Sequence, residues 1–353
     1  MTLRPTAVLI CPGRGTYNKA ELGTLGRFHA GNPLIATWDA MRADAGQQTL
    51  TALDSAQHFA PGRHTTGDNA SALIYACSYL DAQAALQSHD VKAVTGNSLG
   101  WYIALAAGGS TDAIGGLTIV NTMGTLMHRH GAGGQILYPF VDEDWRPIGE
   151  TEAEIMDLIA RIDGRPDHRL ALSIHLGGML VVAGNDAGLD AFADSVPSKD
   201  GRYPLRLPNH AAFHTDMLAQ VAEMGRAALG PDLFCDPHLP LIDGRGSVWW
   251  PKSSDIGALR GYTLDTQITR TCDFTAAIQS AARNFAPYRF IVTGPGTTLG
   301  SAVAQSLIAI NWQGIDSKAA FMARQARDPL VVSMGRPDQR PLVLGDFTTV
   351  EPA

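Results

Sequence analysis

In the first 130 residues, apolar residues follow two different patterns: short continuous runs and helical spacing. Short apolar runs occupy residues 6–11 and 91–95, whereas 70–87 carries its apolar residues at helical spacing and an Ala-rich segment follows at 101–107. The order strand, helix, strand, turn, helix is typical of a parallel α/β sheet with its functional groups at the carboxyl edge. A further helix is predicted for residues 112–130.

The pattern changes after residue 131. Strands are predicted at 135–141, 169–177, 179–184 and 203–207, with helices at 150–162 and 186–196. The resulting order, βαββαβ, is the ferredoxin-like arrangement. The sequence therefore predicts a small ferredoxin-like unit inserted into a larger α/β domain.

Four ranges describe the predicted organisation of the chain. Residues 1–131 and 207–310 form the large α/β domain, and residues 132–206 form the inserted subdomain. Residues 311–353 are a C-terminal extension with a helix at 317–327 and a Pro-rich, strand-poor end. The extension either covers the large domain or contacts a second subunit.

Composition narrows the classes of function. With 353 residues, of which 45% are hydrophobic and 17% charged, the chain can bury a large core. A formal net charge of -7 argues against a general affinity for nucleic acid. No apolar run approaches the length of a membrane span and no signal-peptide layout is present, so we expect a cytoplasmic protein without membrane contact. The scattered cysteines predict neither a zinc site nor a disulfide framework; they are Cys11, Cys77, Cys235 and Cys272.

A Gly-x-Ser-x-Gly turn joins the second apolar run to the Ala-rich helix. Its sequence is Gly96-Asn97-Ser98-Leu99-Gly100, and glycines on either side of a nucleophilic serine remove side chains that would collide with the strand and helix. Since the turn lies at a helix N-terminus, the N–H of Leu99 can face an oxyanion. We predict that Ser98 is a nucleophile; the alternative is a structural Gly-rich turn.

Two further segments can complete such a site. The turn Pro12-Gly13-Arg14-Gly15 can direct the N–H of Arg14 into a cleft, although an ordinary turn with a solvated arginine explains it equally well. His210 and His214 are spaced as metal ligands on a helix would be, but no third ligand is suggested nearby. A histidine that acts as general base for Ser98 is the better interpretation.

These motifs together resemble the malonyl-CoA:acyl carrier protein transacylase family and the related acyltransferase domains of polyketide synthases. The resemblance extends over about residues 6–310 and depends on the turns at 12–15 and 96–100 and on the segments Ala211-Ala212-Phe213-His214-Thr215 and Val292-Thr293-Gly294-Pro295-Gly296. It implies a parallel-sheet, α/β-hydrolase-like core with a ferredoxin-like insertion. It also implies that Ser98 is the nucleophile, His214 the base, and the backbone N–H groups of Arg14 and Leu99 the oxyanion hole.

The resemblance implies a reaction as well. An acyl group moves from coenzyme A to the phosphopantetheine thiol of an acyl carrier protein, with the CoA thioester as substrate, no permanently bound cofactor and no metal. His210 has no catalytic counterpart in the family.

Departures from the family pattern fall around the predicted pocket. Arg14, Asn97 and Trp101 stand where the family usually has Gln, His and Glu, although a backbone donor at position 14 survives a change of side chain. His175 and Met179 stand where Asn and Gln are frequent, which indicates a reshaped pocket wall or ordinary packing. The predicted pocket residues are Met123, Asn97, Trp101, His175 and Phe213.

The largest departure is the loss of an arginine on the helix after the elbow. Malonyl-specific members place there an arginine that pairs with the free carboxylate, and this chain has Met123. Arg129 and His130 are too far along the helix to replace it. An unpaired carboxylate in a pocket is costly, so the sequence predicts a neutral acyl group and not malonyl.

Two other classes of function stay open at this point. An acyl hydrolase or thioesterase would use the same Ser98, and a patatin-like enzyme would pair it with an Asp-Gly such as Asp243-Gly244, where turn chemistry is also a sufficient explanation. An idle carrier-binding module is disfavoured because Ser98 and His214 are both retained. Because the chain is negative, docking of an acidic carrier needs local cations; the candidates are Arg202, Arg206, Arg260 and Arg270.

Overall fold

The computed structural model describes residues 4–146 and 149–345. The predicted end of the C-terminal extension, from residue 346 onward, lies outside the described residues. The strands are β1 Thr6–Cys11, β2 Asp90–Gly96, β3 Gly134–Pro139, β4 Leu170–Leu176, β5 Met179–Gly184, β6 Leu205–Arg206, β7 Leu241–Ile242, β8 Val248–Trp249, β9 Cys272–Asp273, β10 Arg289–Val292 and β11 Val331–Ser333.

Helices separate most of these strands. They are α1 Thr24–His29, α2 Pro33–Asp44, α3 Leu50–Asp54, α4 Pro61–His64, α5 Gly67–Ser88, α6 Gly100–Ala107, α7 Ala113–His130, α8 Gly149–Asp163, α9 Asp186–Ser195, α10 Ala219–Ala228, α11 Ile256–Gly261, α12 Gln267–Thr269, α13 Phe274–Phe285, α14 Gly300–Ile308, α15 Lys318–Arg327 and α16 Pro341–Leu344. A π-helical turn, Tyr262–Thr266, connects α11 to α12. Among the described residues, none of the helices combines the length and the apolar character that a membrane span requires.

The larger sheet is parallel except at one edge. Its strand order is β11-β10-β1-β2-β7-β8, and only β7 and β8 pair antiparallel. Helices cover both faces, so alternate residues of β1 enter different cores: Leu9 packs in the cluster that contains α5, α6 and α7, and Val8 in the cluster that contains α13 and α14. The predicted mixed α/β fold with mainly parallel strands is confirmed.

The second sheet is mainly antiparallel. Its order is β6-β3-β5-β4-β9, with antiparallel pairs β3–β5, β4–β5 and β3–β6. Isoleucines of α8 and Phe192 of α9 pack on this sheet. The edge strand β9 lies outside residues 132–206 and pairs parallel with β4. The second sheet therefore includes a strand from a later segment of the chain.

The predicted elements occur close to their predicted bounds, with two corrections. β1 and β5 begin and end where expected, and the helices at 70–87, 112–130 and 150–162 differ by a few residues at their ends. Residues 59–68, whose Gly, Thr and His content predicts a loop, instead contain the short helix α4 and the start of α5. The extension is not strand-poor throughout, because β11 is the edge strand of the larger sheet.

Buried charges hold this extension against the large domain. Arg340 Nη2 lies 2.6 Å from Asp81 Oδ1, and both side chains are almost completely buried. Asp81 Oδ2 also accepts the N–H of Gly294 at 2.8 Å, and His29 Nε2 lies 3.0 Å from Asp81 Oδ1. The described residues of the C-terminal segment therefore pack on α5 and on the larger sheet.

The register of β1 and β2 places two predicted turns side by side. Cys11 and Gly96, the last residues of these strands, are register partners in the parallel sheet. Because the carboxyl ends of parallel strands lie at the same edge, the turn after β1 and the elbow after β2 share one end of the sheet. The candidate site lies there.

Candidate active site

Backbone contacts explain both glycines of the elbow. A Cβ built on Gly96 would lie 2.1 Å from the carbonyl of Gly100, and a Cβ on Gly100 would lie 2.1 Å from the carbonyl oxygen of Cys11. No side chain fits at either position, so the strand can turn directly into α6. Ser98 has a φ of 53°, a strained conformation for a residue with a side chain.

Ser98 and His214 form a hydrogen-bonded pair. His214 Nε2 lies 2.8 Å from Ser98 Oγ, and His214 Nδ1 lies 2.7 Å from the carbonyl oxygen of Gln267. Because a carbonyl only accepts, Nδ1 carries the ring proton and Nε2 presents its lone pair to the serine hydroxyl. The histidine is thus oriented as a base toward Ser98 without a carboxylate partner.

Gln267 is a site residue that the sequence interpretation missed. Its side chain donates to the carbonyl oxygen of Ser98 at 3.1 Å and accepts from the hydroxyl of Tyr262 at 2.8 Å, while its backbone carbonyl binds His214. Gln267 therefore holds the elbow and the histidine together. It lies after a π-helical turn with no motif around it, so no sequence signal marked it.

Burial keeps His214 neutral. The side chain is 5% exposed, and burial lowers its pKa to about 4, against a smaller opposing effect of the Gln267 carbonyl. At neutral pH the imidazole therefore has a free lone pair at Nε2.

Two backbone N–H groups beside Ser98 are available to an oxyanion. Arg14 and Leu99 lie outside helices and strands, and within residues 4–146 and 149–345 neither N–H donates to a protein acceptor. The turn that carries Arg14 approaches the elbow closely, since a Cβ on Gly13 would lie 2.8 Å from the carbonyl oxygen of Asn97. This arrangement agrees with the predicted oxyanion-hole positions.

A small cavity of about 40 Å³ extends from Ser98 into the large domain. Met123 and Met127 of α7 line it together with Tyr102, Phe213 and Ile268. The polar wall consists mainly of Ser98, His214 and Ser71, whose Oγ has no hydrogen-bond partner among the described residues. Met123, a predicted pocket residue, thus lines the cavity that contains Ser98.

Arg14 also borders this cavity, but its guanidinium is anchored. Nη2 donates to the carbonyl oxygens of Thr65 and Asn209, each at 2.9 Å, and the guanidinium lies 5.3 Å from the centre of the Phe213 ring. Burial lowers the Arg14 pKa to about 10, which leaves the side chain charged at neutral pH.

A large cavity of about 610 Å³ lies between the two sheets and also reaches Ser98. Apolar residues of the small sheet form one wall, including Ile174, Leu176 and Met179. Asn97 and Phe213 line the cavity on the side of the elbow. The volume lies within the range of small-molecule sites.

Two predicted pocket residues lie elsewhere. Trp101 is fully buried beside the π-helical turn, where its Nε1 donates to Thr263 Oγ1 at 3.0 Å, because α6 directs it into the core. His175 points to the opposite face of β4 from Ile174 and Leu176. It lies 3.3 Å from Asp273 and 3.2 Å from Glu152, and these carboxylates outweigh its burial and raise its pKa.

The two histidines with metal-ligand spacing point to different partners. His210 Nδ1 bonds Gln135 Oε1 at 2.7 Å, whereas both nitrogens of His214 are engaged by Ser98 and Gln267. In the described ranges no cluster of three or more His, Cys, Asp or Glu side chains has the arrangement of a metal site.

The four candidate docking arginines divide into two pairs. Arg206 is paired with Asp186 and with Asp190, and Arg260 donates to the backbone carbonyls of Arg226 and Leu229. Arg202 and Arg270 are exposed, and in the part of the chain that the structure describes neither forms an ion pair. Arg202 borders the large cavity, and Arg270 borders a cleft on the other side of His214.

We expect the reactivity of Ser98 to persist at low pH. Because the pKa of His214 is about 4, the rate of Ser98 modification by a fluorophosphonate should be flat from pH 8 to about pH 5 and fall as the pH drops through 4. Labelling for fixed times at each pH, quantified by mass spectrometry, measures this profile, and circular dichroism checks that the protein stays folded. A half-maximal rate near pH 6.5 would contradict the lowered pKa of His214.

Comparison with known proteins places this geometry in a known fold. No protein-family model and no curated protein sequence matches the chain significantly. Solved structures do match. The malonyl CoA-acyl carrier protein transacylase of Coxiella burnetii aligns with a TM-score of 0.75 at 15% identity, covering 99% of this chain and 100% of that one. The acyl-carrier-protein S-malonyltransferase of Burkholderia pseudomallei aligns with a TM-score of 0.73 at 17% identity over 96% and 99% of the two chains.

A third structure shows such a protein with its partner. It is a malonyl-transacylase in complex with its type II polyketide synthase acyl carrier protein, and it aligns with a TM-score of 0.68 at 16% identity over 87% of this chain and 94% of that one. Identity is low in every case, so the likeness concerns the fold. The chain has the fold of the malonyl-CoA:acyl carrier protein transacylases.

Proposed function

We propose that the protein is an acyltransferase that moves an acyl group from coenzyme A to an acyl carrier protein thiol through an acyl-enzyme on Ser98. The observation that carries the proposal is the 2.8 Å contact between Ser98 Oγ and a neutral His214, next to two unengaged N–H groups in a transacylase fold. His214 takes the serine proton as Oγ attacks the thioester carbonyl, and the N–H groups of Arg14 and Leu99 stabilise the oxyanion. Collapse of the intermediate expels the CoA thiolate, which recovers the proton from His214.

The second half of the reaction repeats these steps in reverse. The carrier thiol gives its proton to His214 and attacks the ester of Ser98, and the thioester product leaves with Oγ reprotonated. Both half-reactions need only a CoA thioester and a phosphopantetheinylated carrier, so no resident cofactor takes part. The known complex of a similarly folded malonyl-transacylase with its carrier supports this choice of partner.

The patatin-like alternative is poorly supported at Asp243. This carboxylate is fully buried and accepts bonds from Trp249 Nε1 at 3.0 Å, from Arg245 Nη2 at 2.5 Å and from two backbone N–H groups. It organises its own turn, while His214 already contacts Ser98. A hydrolase that uses the same Ser98–His214 pair becomes an outcome of the experiments below.

We further propose that the acyl group is neutral and short. Met123 lines the cavity beside Ser98, and its thioether packs on Gly225 of α10, which makes this wall apolar. Arg14, the cation nearest to this wall, already holds two carbonyls. One water-sized sphere needs about 10–15 Å³, so the small cavity fits a chain of about two to four carbons.

Domain division and location complete the proposal. We infer an α/β-hydrolase-like large domain from residues 1–131 and 207–310 and a ferredoxin-like subdomain from 132–206, which the spatial order β6-β3-β5-β4 supports. The substrate cleft lies between them. Four free cysteines agree with a cytoplasmic location.

The first test concerns covalent catalysis. Ser98→Ala should abolish the acyl adduct detected by intact-protein mass spectrometry, and His214→Ala should slow transfer by about three orders of magnitude because the base is lost. Asp243→Asn is the matched control, and we expect its transfer rate to stay within about threefold. Full activity of Ser98→Ala would overturn the mechanism, and loss of activity in Asp243→Asn alone would favour the patatin-like scheme.

The second test concerns the acyl group. An unpaired, desolvated carboxylate costs about 3–5 kcal/mol, so acetyl- or propionyl-CoA should load Ser98 at least about a hundredfold faster than malonyl-CoA. Met123→Arg should gain malonyl loading, because a guanidinium can form two parallel charge-assisted hydrogen bonds with the carboxylate. Met123→Leu should retain the preference for neutral acyl groups. Competition between labelled CoA thioesters measures both. Preferential malonyl loading by the unaltered protein would overturn the proposal and assign the carboxylate to Arg14.

The third test concerns carrier docking. Arg202→Glu and Arg270→Glu should each slow carrier-dependent deacylation of preloaded enzyme by about tenfold and weaken its dependence on salt. Arg206→Glu is the control, because Arg206 is already paired with two aspartates. Deacylation by N-acetylcysteamine should be unchanged in all three variants. Transfer that responds neither to salt nor to these reversals would exclude this docking surface.

A further inference from the structure

We propose that His210 binds the pantetheine arm of the thioester substrate, with Nε2 accepting a hydrogen bond from an amide N–H of that arm in the large cavity. This inference rests on the function proposed above. It assigns a role to a histidine that the Ser98 chemistry does not use.

A chain of hydrogen bonds fixes the proton on His210. The carbonyl oxygen of Phe213 can only accept, so the hydroxyl of Ser173, 2.8 Å away, donates to it. Ser173 Oγ must then accept from Gln135 Nε2, at 2.6 Å. This orients the Gln135 amide and turns its oxygen toward His210 Nδ1, at 2.7 Å.

The last bond of this chain determines the tautomer. Since Gln135 Oε1 accepts, His210 Nδ1 carries the proton and Nε2 is a lone-pair acceptor. Burial, with a smaller contribution from the nearby Arg14 charge, lowers the pKa of His210 to about 3. The ring is therefore neutral at physiological pH, and Nε2 cannot act as a donor.

Nε2 is the ring nitrogen of His210 that is open to a ligand. His210 lines the large cavity, and within residues 4–146 and 149–345 no protein group bonds Nε2, which is also not among the polar atoms sealed from solvent. Leu205 and Leu207 line the same cavity nearby in sequence. An acceptor without a protein partner in a partly buried wall favours a ligand that places an N–H or O–H group opposite it.

The pantetheine arm supplies such a donor at a suitable place. CoA and the carrier share this arm, which has two secondary amides between its thiol and its phosphate end. The large cavity reaches Ser98, and the rings of His210 and Phe213 lie 5.6 Å apart, with Phe213 also lining the small cavity. We therefore place an arm whose thioester lies at Ser98 along this wall, beside His210.

Two variants, each tested with two substrates, separate this contact from the hydrogen-bond chain. His210→Phe removes both the acceptor and the donor to Gln135, whereas His210→Gln supplies an amide oxygen as acceptor and an amide N–H that can donate to Gln135. We expect kcat/KM for acetyl-CoA to fall about tenfold in His210→Phe, mainly through KM, and to stay within about threefold in His210→Gln. Acylation of Ser98 by p-nitrophenyl acetate, which has no arm, should be unchanged in both variants.

Equal losses of kcat/KM for acetyl-CoA in the two variants would overturn the inference. Equal losses of reactivity with acetyl-CoA and with p-nitrophenyl acetate would do the same, because the effect would then come from the protein interior. Unchanged acetyl-CoA kinetics in His210→Phe would also overturn it while leaving the proposed function intact. An unaltered protein that reacts with p-nitrophenyl acetate but with no CoA thioester would instead defeat the proposed function, and the inference with it.

Discussion

The close approach of the carboxyl ends of β1 and β2 determines where Ser98 lies. Gly100 touches the last residue of β1 and Gly96 touches Gly100, each so closely that a methyl group would overlap backbone atoms. The chain between them has no room to run on as a strand, so it reverses into α6 with Ser98 at a positive φ. The same approach brings the turn after β1 beside the elbow, which positions the N–H of Arg14.

The histidine depends on contacts from two distant segments. Gln267, which follows the π-helical turn, fixes the tautomer of His214 through its carbonyl and binds the elbow through its amide. On the other side, Ser173 of β4 bonds the carbonyl of Phe213, the residue before His214. The loop that carries the base is thus held between the two sheets, and burial there keeps the imidazole neutral. Among the described residues no carboxylate contacts the imidazole, and the backbone carbonyl of Gln267 orients it instead.

Two cavities meet at Ser98. The small cavity is lined by methionines and a tyrosine, and the proposed function assigns the choice of acyl group to it. The large cavity lies between the sheets, and the proposed function assigns the arm that delivers the acyl group to it. Arg14 and Phe213 border both cavities, so under this proposal changes at the junction affect acyl selection and arm binding together.

The sequence by itself determined the elements whose signal is local. Glycine spacing around Ser98 and the alternation of apolar periods predicted the elbow and the mainly parallel α/β fold, because steric exclusion at a turn and helical or strand periodicity are properties of neighbouring residues. The segment around His214 indicated a partner for Ser98, and the imidazole lies 2.8 Å from the serine oxygen. Tertiary structure alone decided the direction of individual side chains and the short edge strands. Trp101 and His175 lie near the site in sequence, yet one enters the core and the other faces carboxylates, since each follows the packing of its own helix or strand. Gln267 and β11 have no local signature, because a single side-chain contact and a three-residue strand acquire their role only when a distant partner is placed opposite them.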